Sequence, residues 1–285
     1  MINNLVRLFK VSRPISWINT AFPFAAGYLM LGGNVDAHFI IGTLFFLTPY
    51  NLLMYGVNDV FDYESDMRNP RKGGIEGAVE SKKYHKLILW SATLSCVPFI
   101  AAMALLGTGV SFATLLVVVF FVVAYSLEGL RFKERPVLDS LTSSAHFVGP
   151  LVYALSLWGF PAEAWPYVTA FFLWGMASHA FGAVQDIVPD REGNLASIAT
   201  VFGARWTVRF SLALYLLSCF VLALTGLAGI VVALAGLLYV FNCLPYVHLS
   251  DNSSARANAG WRRFIWLNLA TGAVVTMTLI YVSVY

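Results

Sequence analysis

The chain has 285 residues, of which 59% are hydrophobic and only 12% charged, and its mean hydropathy is +0.72. These values exclude an ordinary soluble domain and a disordered chain, and they place the sequence among membrane proteins. A net charge of +3 says less than where the charges lie, and no nucleic-acid partner is expected.

In chain order, the apolar runs predict nine spans, at about residues 14–32, 37–61, 87–106, 110–127, 138–158, 165–186, 206–226, 229–249 and 264–284. The expected fold is all-α, a polytopic bundle of nine transmembrane helices around a central cavity, with residues 1–285 as a single membrane domain. Numbering the gaps alternately puts all 18 Lys and Arg residues on one side. The positive-inside rule then makes that side cytoplasmic, together with the N-terminus, and predicts Tyr285 on the other. The host membrane is expected to be the plasma membrane. No small-residue cleavage site follows the first run, which therefore reads as a retained helix. Cys96, Cys219 and Cys243 fall inside apolar runs without ligand spacing and read as small buried hydrophobes. The connections on the non-cytoplasmic side are short turns punctuated by Gly and Pro, whereas the cytoplasmic ones are longer and polar. Function is therefore expected at the cytoplasmic face.

Five of the eight aspartates lie in two segments, one ending the second span and one ending the sixth. In the first, Asp59, Asp62 and Asp66 are spaced i, i+3, i+7 and share one helical face if the helix continues that far. Asn51, Tyr55 and Asn58 extend that face into the membrane. The second repeats the arrangement with Ser178, His179, Gly182, Gln185 and Asp186, then Asp190 one turn later. A polar stripe within a span faces the bundle interior or a wet cavity. Carboxylates gathered at a bilayer surface are costly unless something positive sits between them. The candidate is a pair of Mg²⁺ ions carrying a diphosphate, since hard oxygen donors at a helix C-terminus favour such a cation. Salt bridges to Arg68, Arg71 and Arg191, or solvated helix ends, are the competing reading. The cations Arg71, Lys72, Arg131, Lys133 and Arg191 could instead neutralise a leaving diphosphate. Tyr125 ends the fourth span, either as an interfacial anchor or facing the reacting carbon. Asp139, Ser140, Ser143 and His146 give the fifth span a polar edge. No nucleophile–base set and no zinc or haem spacing is present.

The run NDxxDxxxD from Asn58, the DxxxD from Asp186 and the nine spans together resemble the UbiA-type intramembrane prenyltransferases. Within that superfamily the chain is most similar to the lycopene elongases of carotenoid biosynthesis. The segments that carry this are Arg13–Thr20, Pro49 through Gly74, Arg131–Pro136 and Phe172–Ser178. The resemblance implies an allylic prenyl diphosphate donor, here dimethylallyl diphosphate, with Mg²⁺ (two ions) held by Asp59, Asp62, Asp66, Asp186 and Asp190. It implies a helical bundle open to membrane lipid, and lycopene or a similar polyene as acceptor. Diphosphate and substrate binding is assigned to Asn58, Arg68, Arg71, Lys72, Tyr125, Arg131, Lys133, Arg191, Asn51, Tyr55, His179 and Gln185. Many relatives carry a Lys four residues after Tyr125, where this chain has Gly129, and Arg131 or Lys133 stands nearby to supply that charge. Two alternatives remain: a prenyltransferase acting on an aromatic quinone precursor, and a cation-coupled transporter, which would need midplane charges and broken helices.

Overall fold

The computed structural model describes residues 2–67 and 79–284. Among the described residues the regular elements are all helical, and no strand occurs. They form two compact units, Met1–Phe132 with Ala145–Pro161, and Lys133–Ser144 with Ala162–Tyr285.

The first unit holds α1 (Ile2–Val11), α2 (Ile18–Met30), α3 (Ala37–Leu47), α4 (Pro49–Phe61), α5 (Tyr63–Asp66), α6 (His85–Leu106), α7 (Gly109–Ser126) and, from residue 145 onward, α8 (Leu138–Ser156). Caps set several of these boundaries. Asp36 accepts the Phe39 N–H at the start of α3, and that bond holds its carboxyl below the usual carboxylate range. Thr108 and Ser111 form a reciprocal capping box at the start of α7.

Helices α3 and α4 share one apolar run, but Pro49 has no N–H to give and Thr48 leaves helical geometry at φ −122°, ψ −61°. The break frees carbonyls at the end of α3. Asn51 Nδ2 satisfies two of them, Phe46 O at 2.8 Å and Leu47 O at 3.1 Å, and also donates to Thr20 Oγ1 at 2.7 Å. Around this joint the aromatic core packs Phe24 against Phe46 and Tyr153, at centroid separations of 5.3 and 5.9 Å. Tyr50 is fully buried and donates its hydroxyl to His146 O.

The second unit holds the first turns of α8, then α9 (Trp165–Val184), α10 (Ile187–Glu192), α11 (Ile198–Phe202), α12 (Ala204–Ala223), α13 (Leu227–Cys243) and α14 (Asn258–Val284). Helix α9 packs on α12, α12 on α13, and α13 on α14. Gly182 lets α14 approach α9, because a Cβ there would stand 2.9 Å from the Trp261 ring. Ser178 and Tyr215 share a hydroxyl–hydroxyl bond between α9 and α12. A turn at Gly203, φ 78°, separates α11 from α12.

Helices stand at all nine expected positions, and among the described residues seven segments are long and apolar enough to cross a membrane. They are Ala37–Phe61, Lys82–Leu106, Gly109–Ser126, Ala162–Val184, Ala204–Ala223, Leu227–Tyr246 and Asp251–Val284. The first and fifth expected spans differ. Arg13 adopts left-handed backbone (φ 51°) and Pro14 opens a separate 3₁₀ turn, Pro14–Ser16, so the first apolar run loses its leading residues. The 13 residues left in α2 reach only about 20 Å, short of a hydrocarbon core of about 30 Å. Helix α8 has 19 residues, and Asp139, Ser140, Thr142, Ser143, Ser144 and His146 crowd its first half.

Candidate active site

The first acidic segment is built on the end of α4. Helix α4 ends at Phe61, Asp62 turns at φ −97°, ψ −1°, and α5 follows at once, with Asp62 N bonded to Asn58 O and Asp66 N to Asp62 O. The expected unbroken helix is thus divided at Asp62, and the two backbone bonds hold Asp62 and Asp66 each one turn beyond Asn58 and Asp62. All three are buried, at 3%, 7% and 6% exposure. Buried carboxylates need charged or hydrogen-bonding partners, and these come from distant parts of the unit. Arg13 donates to Asp59 Oδ1 at 2.6 Å and stacks its guanidinium 4.2 Å from the centre of the Tyr55 ring. Asn58 Nδ2 donates to Asp62 Oδ2 at 2.7 Å and to Ser126 Oγ at 3.0 Å. Arg131 stands 4.0 Å from Asp62 Oδ1.

Arg131 reaches that place because the chain after α7 turns back on itself. Gly129 has φ 90° and Arg131 φ 39°, and Leu127 O accepts from both Leu130 N and Arg131 N. A Lys at position 129 would need the left-handed backbone that Gly129 adopts without strain. The charge in this loop is therefore carried two residues later. Tyr125 is half-buried and lies edge-on to His146, 5.0 Å between ring centres.

In the second unit, Gln185 closes α9 and Asp186 opens α10. Gln185 Oε1 accepts from Asn258 Nδ2 at 2.6 Å, and Gln185 Nε2 donates to Gly182 O. Asp190 N bonds to Asp186 O, which keeps the two acids one turn apart, and both are partly exposed. His179 Nδ1 pairs with Ser140 Oγ at 3.0 Å. The neighbouring Asp139 is fully buried and accepts the Ile198 N–H, fastening α11.

Three expectations change in this light. Asn51 is fully buried and commits its Nδ2 to the α3–α4 joint and to Thr20, while its Oδ1 has no hydrogen-bond partner among the described residues. Arg191 is not a spare cation. Its Nε and NH2 hold Thr200 O, and its NH1 holds Asp251 Oδ2 at 2.7 Å, while Asp251 Oδ1 accepts the Ala204 N–H. Asp59, read as a metal ligand, has one oxygen taken by Arg13. Lys133 sits in the turn Phe132–Glu134. Arg68, Arg71 and Lys72 lie outside the described residues, as does Tyr285. Sequence reasoning used Arg13 as topological charge and as the start of the segment Arg13–Thr20 that carries the resemblance, but assigned it no place in the site, and gave Ser126 and Asn258 no role. The only signal for Arg13 was its place beside Pro14.

Among the described residues no three His, Cys, Asp or Glu side chains converge as a ready-made metal cage. This donor set still suits Mg²⁺, which is held by one or two carboxylates and completed by phosphate oxygens and water rather than by an all-protein shell. Asp62 and Asp66, one turn apart, and Asp186 and Asp190, likewise, are such pairs.

The chain matches the family model described as the UbiA prenyltransferase family over residues 20–268. It is 48% identical over 282 residues to a protein of Corynebacterium glutamicum described as lycopene elongase/hydratase, with 98% of each chain covered. It is also 48% identical over 280 residues to a C(50) beta-cyclic carotenoids biosynthesis protein of Dietzia sp., covering 97% of this chain and 65% of that one. Among solved structures, a UbiA homolog from Archaeoglobus fulgidus bound to DMAPP and Mg²⁺ superposes with a TM-score of 0.67 at 20% identity, covering 94% of this chain and 99% of that one. At that identity the likeness speaks to fold. The seven long apolar helices and these similarities describe an integral membrane protein, and the chain belongs to the UbiA prenyltransferase family.

Proposed function

We propose that the protein transfers a dimethylallyl group from dimethylallyl diphosphate to the ends of lycopene, in the formation of fifty-carbon carotenoids. The observation that carries this is the near full-length similarity to the Corynebacterium protein, 48% identity with 98% of both chains covered. The archaeal homolog of the same fold was solved with DMAPP and Mg²⁺, which supports the choice of donor and metal. In this reading residues 1–285 are a single prenyltransferase membrane domain.

In this reading Asp62 and Asp66 of the first unit, and Asp186 and Asp190 of the second, bind Mg²⁺. The metal, two ions in this reading, would supply charge neutralisation of the diphosphate as the allylic C–O bond breaks. Asp59 contributes through Arg13, whose guanidinium it orients. Arg131 and Lys133 take up negative charge that builds on the leaving group, as do Arg68, Arg71 and Lys72. Asn58 fixes the Asp62 carboxylate by its 2.7 Å bond. The rings of Tyr55 and Tyr125 present negative faces that favour an allylic cation and help exclude water from it. Diphosphate departs, a terminal double bond of lycopene attacks the allylic cation left behind, and the new cation on the acceptor loses a proton or takes up water. The stripes above the acidic segments hold amides, hydroxyls and His179, with no Lys or Arg at midspan. A hydroxybenzoate-type carboxylate would therefore be buried without a charged partner, at a cost of several kcal/mol. The N-terminus and the reacting face lie on the cytoplasmic side of the plasma membrane in this reading.

Membranes containing the protein, given labelled dimethylallyl diphosphate and lycopene, are expected to form a mono-elongated and then a di-elongated product. Prenylation of a hydroxybenzoate or homogentisate with lycopene left untouched would overturn the acceptor.

A further inference from the structure

A second pocket, apolar within and basic at its edge, opens in the second unit, where α13 ends and the chain turns toward α14. It is a cavity of about 520 Å³ lined by Pro245, Tyr246, His248, Leu249, Arg256 and Ala259. Its rim is basic. Arg263 NH2 donates to Tyr246 Oη at 2.7 Å, so the phenol oxygen is drawn toward a second guanidinium. Arg256 and His248 are exposed and have no hydrogen-bond or ion-pair partner among the described residues. The acid nearest to them in sequence, Asp251, is already committed to Arg191 and to the Ala204 N–H.

This site is separate from the acidic segment. Toward α9, α14 turns Asn258, bonded to Gln185, Gly260 against Phe181, Trp261, packed over Gly182, and Phe264, stacked on Trp174. Ala259 and Arg263 turn instead toward Tyr246. The cavity also sits at the end of two candidate spans, Leu227–Tyr246 and Asp251–Val284. On the flanks of those spans Phe241, Leu244, Trp266 and Leu269 are exposed, Trp266 at 71%. Apolar flanks that lead to a basic pocket at the height where a span ends match the two halves of a phospholipid. The acyl chains cover the flanks, and the phosphate meets the guanidinium.

We propose that this pocket binds the headgroup of an anionic membrane phospholipid, with Arg256 as the principal phosphate donor and His248 and Arg263 at its sides. The committed occupant is a lipid and not free phosphate, because the apolar flanks would otherwise have no part in binding.

The full-length protein, purified in detergent, provides the test. Thermal unfolding midpoints and native mass spectra are recorded with added phosphatidylglycerol, with phosphatidylcholine and with inorganic phosphate. Phosphatidylglycerol is expected to raise the midpoint and to stay bound at about fivefold higher occupancy than phosphatidylcholine, with phosphate alone inert. Arg256→Gln should erase that preference while leaving the lipid-free midpoint unchanged, since Arg256 has no protein partner to lose. Arg205→Gln, an exposed arginine outside the pocket, should retain it. Equal retention of the two lipids, an undiminished preference in Arg256→Gln, or an equal shift with phosphate alone would each overturn the proposal.

Discussion

The two acidic segments share a sequence pattern but not an environment. Asp59, Asp62 and Asp66 are buried, and Asp59 is met by Arg13 from the N-terminal turn while Asp62 is met by Arg131 from the loop after α7 and by Asn58 of α4 itself. Asp186 and Asp190 stand partly exposed on a short helix, and the bracing is done by their neighbours: Gln185 through Asn258, and Arg191 through Thr200 and Asp251. The first segment thus depends on charge pairing in a poorly solvated place, where losing one partner is costly. The second is braced through the neighbours of its acids, by bonds to side chains and to backbone carbonyls, and its two carboxylates are partly exposed. Carboxylates with the same proposed chemistry can therefore fail in different ways.

The largest expected effects fall on the proposed chemistry. Asp62→Asn and Asp186→Asn should each lower turnover by roughly 10²–10³-fold, with Asp186→Asn keeping an unfolding midpoint close to wild type and Asp62→Asn, which gives up a buried charge paired with Arg131, showing a lower one, and EDTA should silence the unmodified enzyme. Near-normal turnover in either variant would remove that segment from the site.

Next come the pairings. Arg13→Gln leaves Asp59, whose side chain is 1% exposed, without its arginine and should cost about 3–5 kcal/mol of stability. The double variant with Asp59→Asn should recover most of it. Arg191→Gln breaks a pair whose side chains are 44% and 36% exposed, so the ion pair itself contributes no more than about 1 kcal/mol. Its hydrogen bonds to Thr200 O add about 1 kcal/mol. Equal losses in the two arginine variants would erase the contrast between buried and clamped segments. The smallest effect is expected for Asn258→Ala, about 1 kcal/mol from the bond to Gln185, seen as a modest drop in unfolding midpoint.

Much of the first segment was legible in sequence, because the i, i+3, i+7 spacing follows the end of α4 and the single turn of α5, although the helix divides at Asp62. The partners were not legible. Arg13 and Asp59 are 46 residues apart, and nothing local announces the pair. Hydropathy also read the runs from residue 14 and residue 37 as unbroken spans. It counts apolar side chains and is blind to the backbone, whereas Arg13–Pro14 and Thr48–Pro49 interrupt the ladder. Those Pro pairs were visible, and they also explain Asn51. An amide placed beside a helix break repairs carbonyls, a use that polar-stripe reasoning does not separate from substrate contact. Gly129 was read as a missing charge, and its positive φ shows it to be the turn that brings Arg131 to Asp62.

The most direct test is pigment analysis of lycopene-producing membranes carrying either the unmodified protein or Asp62→Asn. The account predicts that the unmodified protein converts lycopene to mono- and di-elongated carotenoids, while Asp62→Asn, present in equal amount, leaves lycopene unchanged. Lycopene left intact by the unmodified protein when dimethylallyl diphosphate is supplied, or equal conversion by the two proteins, would contradict it.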